Sequence, residues 1–339
     1  MTIYDPAEGL APRVLVTGAT GAIGSAVGRE LVQHGYRVFG LVRSEEASER
    51  LPYAVIPVLG DIREPRQWAP AVAGVDLVIH LAFPPPHAGG ETRERAEAER
   101  EADDLAAILD RLCAVVRRHR KRLIHTFGAL LYEPGPDGVV SESSPISSGR
   151  GFGIRHRKTY PVLARHRKRG LKAISVNPAF VYGPGGWFEN GVLEPMSRGK
   201  SSFIGDGTQT MHYIEASDAA AGYRLAIEHG LEGDDYLLAD DRPSTIGEFT
   251  RLVARELGAP PPVSFPEEDA VAALGSWKVE AYTFCPKVDS TRARERLGWT
   301  PRYRTIEEGV PEVVRAWKRA RNVPEYASGI GAIRRESPL

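Results

Sequence analysis

Residues 14–35 read VLVTGATGAIGSAVGRELVQHG, and this stretch decides the fold. A short apolar run, Val14 to Thr17, leads into a glycine-rich turn, and a helix is predicted from about Ile23 to His34. Glycines at this spacing permit a tight turn and let the backbone approach a pyrophosphate, while the helix N-terminus supplies free N–H groups. The context therefore predicts a dinucleotide site rather than a purely structural turn. The residues of the turn expected to contact the cofactor are Gly18, Thr20, Gly21, Ala22, Ile23 and Gly24.

Strands and helices are predicted to alternate along the first half of the chain. The predicted strands after the first are Arg37–Val42, Ala54–Leu59, Asp76–Leu81, Arg122–Thr126 and Ala173–Val176. This alternation indicates an α/β fold of the Rossmann type, a doubly wound parallel sheet with a smaller C-terminal substrate lobe. We expect residues 1–178 to form the nucleotide-binding domain, with contributions from about 212–242, and residues 179–339 to form mostly the substrate-binding lobe.

The residue that follows the second strand bears on the choice of cofactor. An acidic residue there would bind a ribose 2′-hydroxyl, whereas Arg43 offers a planar cation for a 2′-phosphate. We therefore favour NADP(H) over NAD, with a solvated loop arginine as the alternative interpretation. The further residues expected at the cofactor are Ser44, Asp61, Ile62, Leu81, Ala82, Phe83, Pro178, Ala179 and Phe180.

Composition narrows the classes of partner. The 339 residues include 44 basic and 44 acidic side chains, so the net basic field expected of a nucleic-acid-binding protein is absent. The two cysteines are far apart, and His80, His125 and His212 lack metal-ligand spacing, so we expect no metal site. No leader-like or membrane-length apolar run is present in the sequence. We expect a cytoplasmic monomer or homodimer that acts on a small molecule, with no membrane or nucleic-acid partner.

Several further motifs carry a family resemblance. The resemblance lies in six stretches, which are TGATGAIG, GDIR, HLAF, NPAFVYGPGG, IGDGTQTMHYIEASDAAAG and VDSTRARERLGWTPRYRTIEEGV. In these stretches the chain resembles the extended short-chain dehydrogenase/reductases, the NAD-dependent epimerase/dehydratase group. The resemblance covers nearly the whole chain. It implies a Tyr-x-x-x-Lys pair on one helix face with a nearby serine, in which tyrosine exchanges a proton with the substrate carbonyl and lysine lowers the pKa of that tyrosine.

This chain departs from that catalytic set. None of its 12 tyrosines has a lysine four residues later. Counting back from Asn177 and Pro178 places Phe152 at the tyrosine position and His156 at the lysine position, and counting back from Tyr132 places Gly128 at the serine position. Phenylalanine cannot donate a proton, so another group must supply it or the chemistry must differ.

Two side chains are candidates for the missing function. His156 is interpreted as a proton donor or ribose anchor, or as a surface histidine of a basic helix. Thr126 is predicted either to approach the carbonyl or to be a strand-end residue with a satisfied hydroxyl. Tyr160 would reach the site only if the helix is rebuilt near Pro161.

Three functions remain open from the sequence. The first is an NADPH-dependent ketoreductase for a bulky aromatic, polyketide-type ketone of antibiotic biosynthesis, a pattern that resembles the angucycline ketoreductases of the simocyclinone type. The second is a non-catalytic NADP(H) sensor, and the third a sugar-nucleotide epimerase or dehydratase. Trp187, Phe188 and Phe203 are expected either to line an aromatic pocket or to pack in the lobe.

Overall fold

The computed structural model describes residues 11–83, 95–284 and 286–321. In chain order the strands are β1 Arg13–Thr17, β2 Arg37–Val42, β3 Ile56–Leu59, β4 Leu77–His80, β5 Arg122–Thr126, β6 Val139–Val140, β7 Ala173–Pro178, β8 Phe180–Tyr182, β9 Ser202–Ile204, β10 Thr210–Met211, β11 Tyr213–Glu215, β12 Asp235–Leu238, β13 Ser244–Thr245, β14 Val263–Phe265 and β15 Lys287–Val288. The helices are α1 Ala22–Gln33, α2 Glu45–Ser48, α3 Pro65–Ala73, α4 Arg95–Arg118, α5 Gly153–Lys168, α6 Gly186–Phe188, α7 Glu194–Ser197, α8 Ala216–His229, α9 Ile246–Leu257, α10 Glu267–Leu274, α11 Ser276–Thr283, α12 Thr291–Leu297 and α13 Ile306–Ala320.

A seven-stranded parallel sheet forms the centre of the fold, in the order β12-β7-β5-β4-β1-β2-β3. This confirms the α/β, Rossmann-type class predicted from the sequence. The chain order reverses between β1 and β4, and ligands of open parallel sheets bind in the crevice beyond the carboxyl ends of the strands at such a point. The glycine turn after β1 lies at this crevice.

Helices cover both faces of the sheet. Helix α1 packs against α8, and α4 packs against α5. The last residue of β5 and the residue that follows it show that these pairs lie on opposite faces, because side chains alternate along an extended chain. The Thr126 hydroxyl contacts Tyr223 of α8, whereas the ring of Phe127 contacts Tyr160 of α5.

The C-terminal half contributes both to the sheet and to a second hydrophobic core. Strand β12 pairs with β7 at the edge of the main sheet. The second core contains Tyr182, Phe188, Tyr213, Phe249, Trp317 and aliphatic side chains from α9 and α13. Phe188 and Phe203 are buried, which fits packing rather than a ligand wall for these two rings. The indole of Trp187 is 40% exposed and donates to the carbonyl oxygen of Val181.

Candidate cofactor and active site

Two positions of the glycine turn require glycine because the turn is closely packed. Gly18 has a φ of +74°, and a Cβ there would lie 2.7 Å from the carbonyl group of Leu81. A Cβ on Gly24 would lie 2.0 Å from the carbonyl oxygen of Gly18. Only glycine allows the turn to pack this tightly against the end of β4.

Gly21 is glycine for a different reason. It is exposed, and the nearest protein atom to a Cβ there would be the Gly18 carbonyl oxygen at 3.3 Å. A Cβ at this position would press closely on that one carbonyl oxygen and would meet no other described atom within 4 Å. Gly21 is also the N-cap residue of α1. It has no side chain that could cap the helix, so in the described residues the backbone N–H groups at this helix terminus lack a side-chain cap. This bare surface fits the close approach of a pyrophosphate.

The remaining turn residues complete a half-buried cradle. Thr20, Ala22 and Ile23 are each partly exposed. A Cβ on Gly186, the first residue of α6, would lie 3.0 Å from the Cβ of Ala22. The glycine-rich loop near Gly186 therefore lies close against the start of α1.

The end of the crevice beyond β2 carries an unpaired cation. Arg43 is exposed, and within the described residues no carboxylate lies at ion-pair distance from its guanidinium. The neighbouring Ser44 caps α2 by accepting a hydrogen bond of 3.2 Å from the backbone of Ala47. Asp61 is already bound by Arg63, with 3.0 Å between Nε and Oδ1, and this hydrogen bonding holds the pKa of Asp61 below its usual range. Arg43 is thus available to an anion.

The carboxyl ends of β4 and β7 bring the other predicted cofactor residues to one edge of the sheet. Leu81, Ala82 and Phe83 are half-buried after β4, as is Ile62 after β3. Pro178 and Ala179 are buried at the end of β7, while Phe180 is partly exposed.

His156 lies next to the empty place at Gly128. A Cβ on Gly128 would lie 3.3 Å from Nε2 of His156 and 3.8 Å from the carbonyl oxygen of Pro178. His156 is only 8% exposed, so it is not the surface histidine of the alternative interpretation. The imidazole therefore points its Nε2 at the space that a serine side chain would fill in the family pattern.

The surroundings of His156 keep its imidazole neutral. Burial, with a smaller contribution from Arg155, lowers the pKa of His156 to about 3. Its Nδ1 is buried and has no hydrogen-bond partner in the described residues. Near pH 7 the ring is an uncharged donor or acceptor and cannot act as an imidazolium acid.

Phe152 immediately precedes α5 and lies one helical turn before His156. Its ring meets Trp277 and Tyr282 edge-on, at centroid distances of 6.0 and 5.8 Å. Both partners belong to α11, more than a hundred residues further along the chain, and no local spacing pattern predicts this contact. An apolar ring thus occupies the position where the family pattern has a phenol.

Thr126 lies on the other face of the sheet from His156. Its Oγ1 lies 2.5 Å from the hydroxyl of Tyr223 on the α8 face of the sheet, and the residue is 4% exposed. His156 lies on the opposite, α5 face, in edge-on contact with the ring of Phe127. The interpretation of Thr126 as a group that approaches the carbonyl is therefore corrected to that of a satisfied strand-end hydroxyl.

Two further histidines that sequence reasoning treated as structural lie beside the site. His80 and His125 face each other across β4 and β5, with stacked rings 5.2 Å apart. Nδ1 of His80 is 2.6 Å from Oγ1 of Thr17, whereas both nitrogens of His125 are buried without a partner in the part of the chain that the structure describes. Burial lowers the pKa of His80 to about 4 and that of His125 well below its ordinary value.

Tyr160 remains on the regular helix α5, two turns beyond Phe152. Its ring packs against Phe127 at 5.8 Å. Burial raises the pKa of Tyr160, with a smaller contribution from Asp235 at the start of β12. The helix continues through Pro161 without being rebuilt, so Tyr160 keeps its distance from the position of Phe152.

Residues 14–239 match the family described as the NAD dependent epimerase/dehydratase family. The chain belongs to this family.

Among the described residues, no group of three or more His, Cys, Asp or Glu side chains is arranged to hold a metal ion. Nor is any helix of the described part both long enough and apolar enough to cross a membrane.

Relatives in the NAD dependent epimerase/dehydratase family include reductases. An uncharacterized protein of Saccharomyces cerevisiae is 29% identical over 311 residues, which cover 90% of this chain and 98% of that protein. A 3-diazoavenalumate denitrifying reductase of a Streptomyces species is 27% identical and covers 88% of this chain and 99% of its own. A 4-hydroxy-2-methyl-3-oxo-4-farnesyl-3,4-dihydroquinoline-1-oxide ketoreductase of Stigmatella aurantiaca is 25% identical, with 73% of each chain covered.

Solved structures of the epimerase type share the fold. The human epimerase family protein SDR39U1, determined with NADPH, superposes with a TM-score of 0.73 at 20% identity, covering 89% of this chain and 99% of that one. At this identity the likeness establishes the fold alone.

Proposed function

We propose that this protein is an NADPH-dependent reductase that reduces a ketone on a bulky aromatic substrate without a tyrosine–lysine pair. The observation that carries the proposal is the placement of His156, whose Nε2 points into the space left by Gly128 at the edge of the cofactor crevice. The names of two relatives, a denitrifying reductase and a quinoline-oxide ketoreductase, favour reduction as the reaction class.

The cofactor preference rests on Arg43. Its guanidinium has no ion-pair partner in the described residues, while the nearby carboxylate of Asp61 is neutralised by Arg63. An unpaired arginine beside a neutralised carboxylate favours a 2′-phosphate over a bare ribose hydroxyl. The exposed Gly21 and the free N-terminus of α1 would hold the pyrophosphate.

His156 acts in this proposal as a neutral hydrogen-bond donor. The buried Nδ1 has no partner in the described residues, so it is unsatisfied whether or not it carries the proton and does not decide the tautomer. In this proposal the proton is on Nε2, which faces the Gly128 space and can donate to a ligand there. Neutral imidazole can polarise a carbonyl in this way when its pKa is held low.

The bound NADPH would supply the hydride for this reaction. His156 would donate to the carbonyl oxygen as that oxygen gains negative charge, and Phe152 would keep water from one side of the reacting group. No described side chain at the tyrosine position can give the final proton, so it comes from water or from a phenol adjacent to the ketone of the substrate.

The test compares 8-hydroxy-1-tetralone with 1-tetralone, in the wild-type protein and in His156→Ala. We expect NADPH oxidation with both ketones and a faster rate for the ketone that carries its own phenol. Loss of a positioned donor should lower kcat by about 10²–10³ with little change in the Kd for NADPH. Equal rates in the variant and the wild type would refute the role of His156.

A non-catalytic NADP(H) sensor is the second candidate, because Phe152, His156 and Gly128 occupy the three usual catalytic positions. The same assay separates the two functions. Tight NADPH binding without oxidation in the presence of any ketone would favour the sensor.

A further inference from the structure

Helix α11 is fixed against the start of α5. The Glu280 carboxylate accepts hydrogen bonds from the backbone of Gly151 at 3.2 Å and from Nε of Arg150 at 3.1 Å. Gly151 has a φ of +47°, and a Cβ there would lie 2.8 Å from Cα of Ala281. The two segments therefore meet at backbone distance, which sets the position of α11 relative to Phe152.

The contact between α11 and the start of α5 brings three aromatic rings together, those of Phe152, Trp277 and Tyr282. Trp277 and Tyr282 approach the Phe152 ring at interplanar angles of 82° and 78°. In both pairs the rings meet edge to face rather than face to face. Phe152 is half-buried and Tyr282 is 53% exposed, so the protein itself does not cover these rings fully.

The aromatic wall lies next to the proposed reacting position. Phe152 and His156 are four residues apart at the start of α5, and this spacing puts both side chains on one helix face. A ring fused to a ketone held at His156 would therefore extend toward Phe152 and α11.

The indole of Trp277 independently indicates that a ligand with an oxygen atom binds beside these rings. Its Nε1 is buried, and no acceptor lies within hydrogen-bond reach among the described residues. Buried donors without partners are rare in folded proteins, and an oxygen on a ligand bound beside this ring would satisfy it.

We propose that Phe152, Trp277 and Tyr282 form the wall that selects the substrate, and that its occupant is the flat, oxygen-bearing aromatic ring system attached to the ketone. This rests on the proposed reductase function and names residues that determine its specificity. Stacked and edge-on aromatic contacts favour flat rings over saturated rings of similar size.

The test uses a binding arm and a turnover arm. In the binding arm, the Kd of 1-naphthol for the NADPH-loaded protein is measured by calorimetry for the wild type, Tyr282→Ala, Trp277→Ala and Trp277→Phe. We expect each alanine variant to raise this Kd about three- to tenfold, and Trp277→Phe to raise it less. Tyr53→Ala is the matched control, because Tyr53 is a tyrosine that is 95% exposed and outside the wall.

In the turnover arm, KM is compared for 1-tetralone and cyclohexanone. The Tyr282→Ala change should raise KM for the aromatic ketone about three- to tenfold and leave the KM for cyclohexanone and the Kd for NADPH nearly unchanged. Equal shifts for both ketones, or an unchanged Kd for 1-naphthol in both alanine variants, would overturn the proposal. If no ketone is reduced while 1-naphthol binding still weakens in the variants, the reductase function fails and the aromatic wall stands.

Discussion

Acid should weaken this fold through its buried histidines, and one of them allows a clean measurement. Burial lowers the pKa of His80 to about 4, that of His156 to about 3 and that of His125 well below its ordinary value. In the unfolded chain each imidazole titrates near about 6.5. Below that pH each of these histidines is protonated in the unfolded state but stays neutral in the folded state. The contribution of each histidine to the free energy of unfolding is therefore present above about 6.5 and is lost as the pH falls.

Two buried carboxyl groups act in the opposite direction. Burial raises the pKa of Asp240 to about 8 and that of Asp218 to about 6. These groups bind a proton in the folded state while they are ionised in the unfolded chain, so they add stability as the pH falls through the same range. The pH dependence of the wild-type protein is therefore a difference of opposing contributions, and a single substitution isolates one histidine.

The substitution is His125→Leu, which removes an imidazole that makes no hydrogen bond in the described residues. About 1.5 pH units separate pH 5.0 from the unfolded pKa, and each unit corresponds to about 1.36 kcal/mol per proton, so about 2 kcal/mol is the most that the neutral ring can cost at pH 5.0. We expect urea unfolding to show the variant gaining up to about 2 kcal/mol relative to wild type between pH 7.5 and 5.0.

Any packing change in His125→Leu shifts stability equally at both pH values and drops out of this comparison. His34→Gln is the control, because the side chain of His34, the residue that follows α1, is 44% exposed. A stability difference between His125→Leu and wild type that is the same at pH 7.5 and pH 5.0 would refute the reasoning.

The remaining predictions concern the cofactor crevice and the tyrosine position. Arg43→Ala should remove most of a preference for NADPH over NADH, a loss of about 1.5–3 kcal/mol, and titration calorimetry should show no such loss for Arg66→Ala; equal affinities in the wild type would contradict the assignment. Gly21→Val should abolish NADPH binding and leave the circular dichroism spectrum unchanged, whereas Gly24→Ala should lower the melting temperature because its Cβ would lie 2.0 Å from the Gly18 carbonyl oxygen; retained binding in Gly21→Val would mean that the pyrophosphate lies elsewhere. Phe152→Tyr should change kcat for an aromatic ketone by less than about tenfold, since the lysine and serine of the usual set are also absent; a gain near 10²–10⁴ would show that only the phenol was missing.

Local sequence patterns were sufficient for six of the seven strands of the sheet and for the glycine turn, whereas the edge strand β12 was expected only as a contribution from about 212–242. The apolar run that ends at Thr17, the glycines after it and the helix that follows are read from neighbouring residues, and the observed α1 begins within one residue of its predicted start. The sequence also predicts a long charged helix from Thr92 to His119; its predicted start lies outside the described residues, and the observed α4 ends at Arg118, one residue before the predicted end.

The composition of the site could not be predicted as fully, because it depends on contacts between distant residues. Thr126 finds its hydroxyl partner in Tyr223, 97 residues later, and Phe152 meets Trp277 and Tyr282 more than a hundred residues away. Strand register alone brings His80 opposite His125. Alternating side-chain direction on β5 is a signal that would have separated Thr126 from Phe127 and the α5 face.

The pH dependence of kcat/KM for NADPH-dependent reduction of 1-tetralone, a ketone without a phenol, tests most directly whether His156 works as a neutral donor. Because the pKa of His156 lies at about 3, we predict a flat profile from about pH 6.5 to 9, and a uniform loss across that range in His156→Gln. A profile that falls with an apparent pKa inside this range in the wild type, and becomes flat in His156→Gln, would show that His156 is a conventional proton-donating acid and would contradict the account.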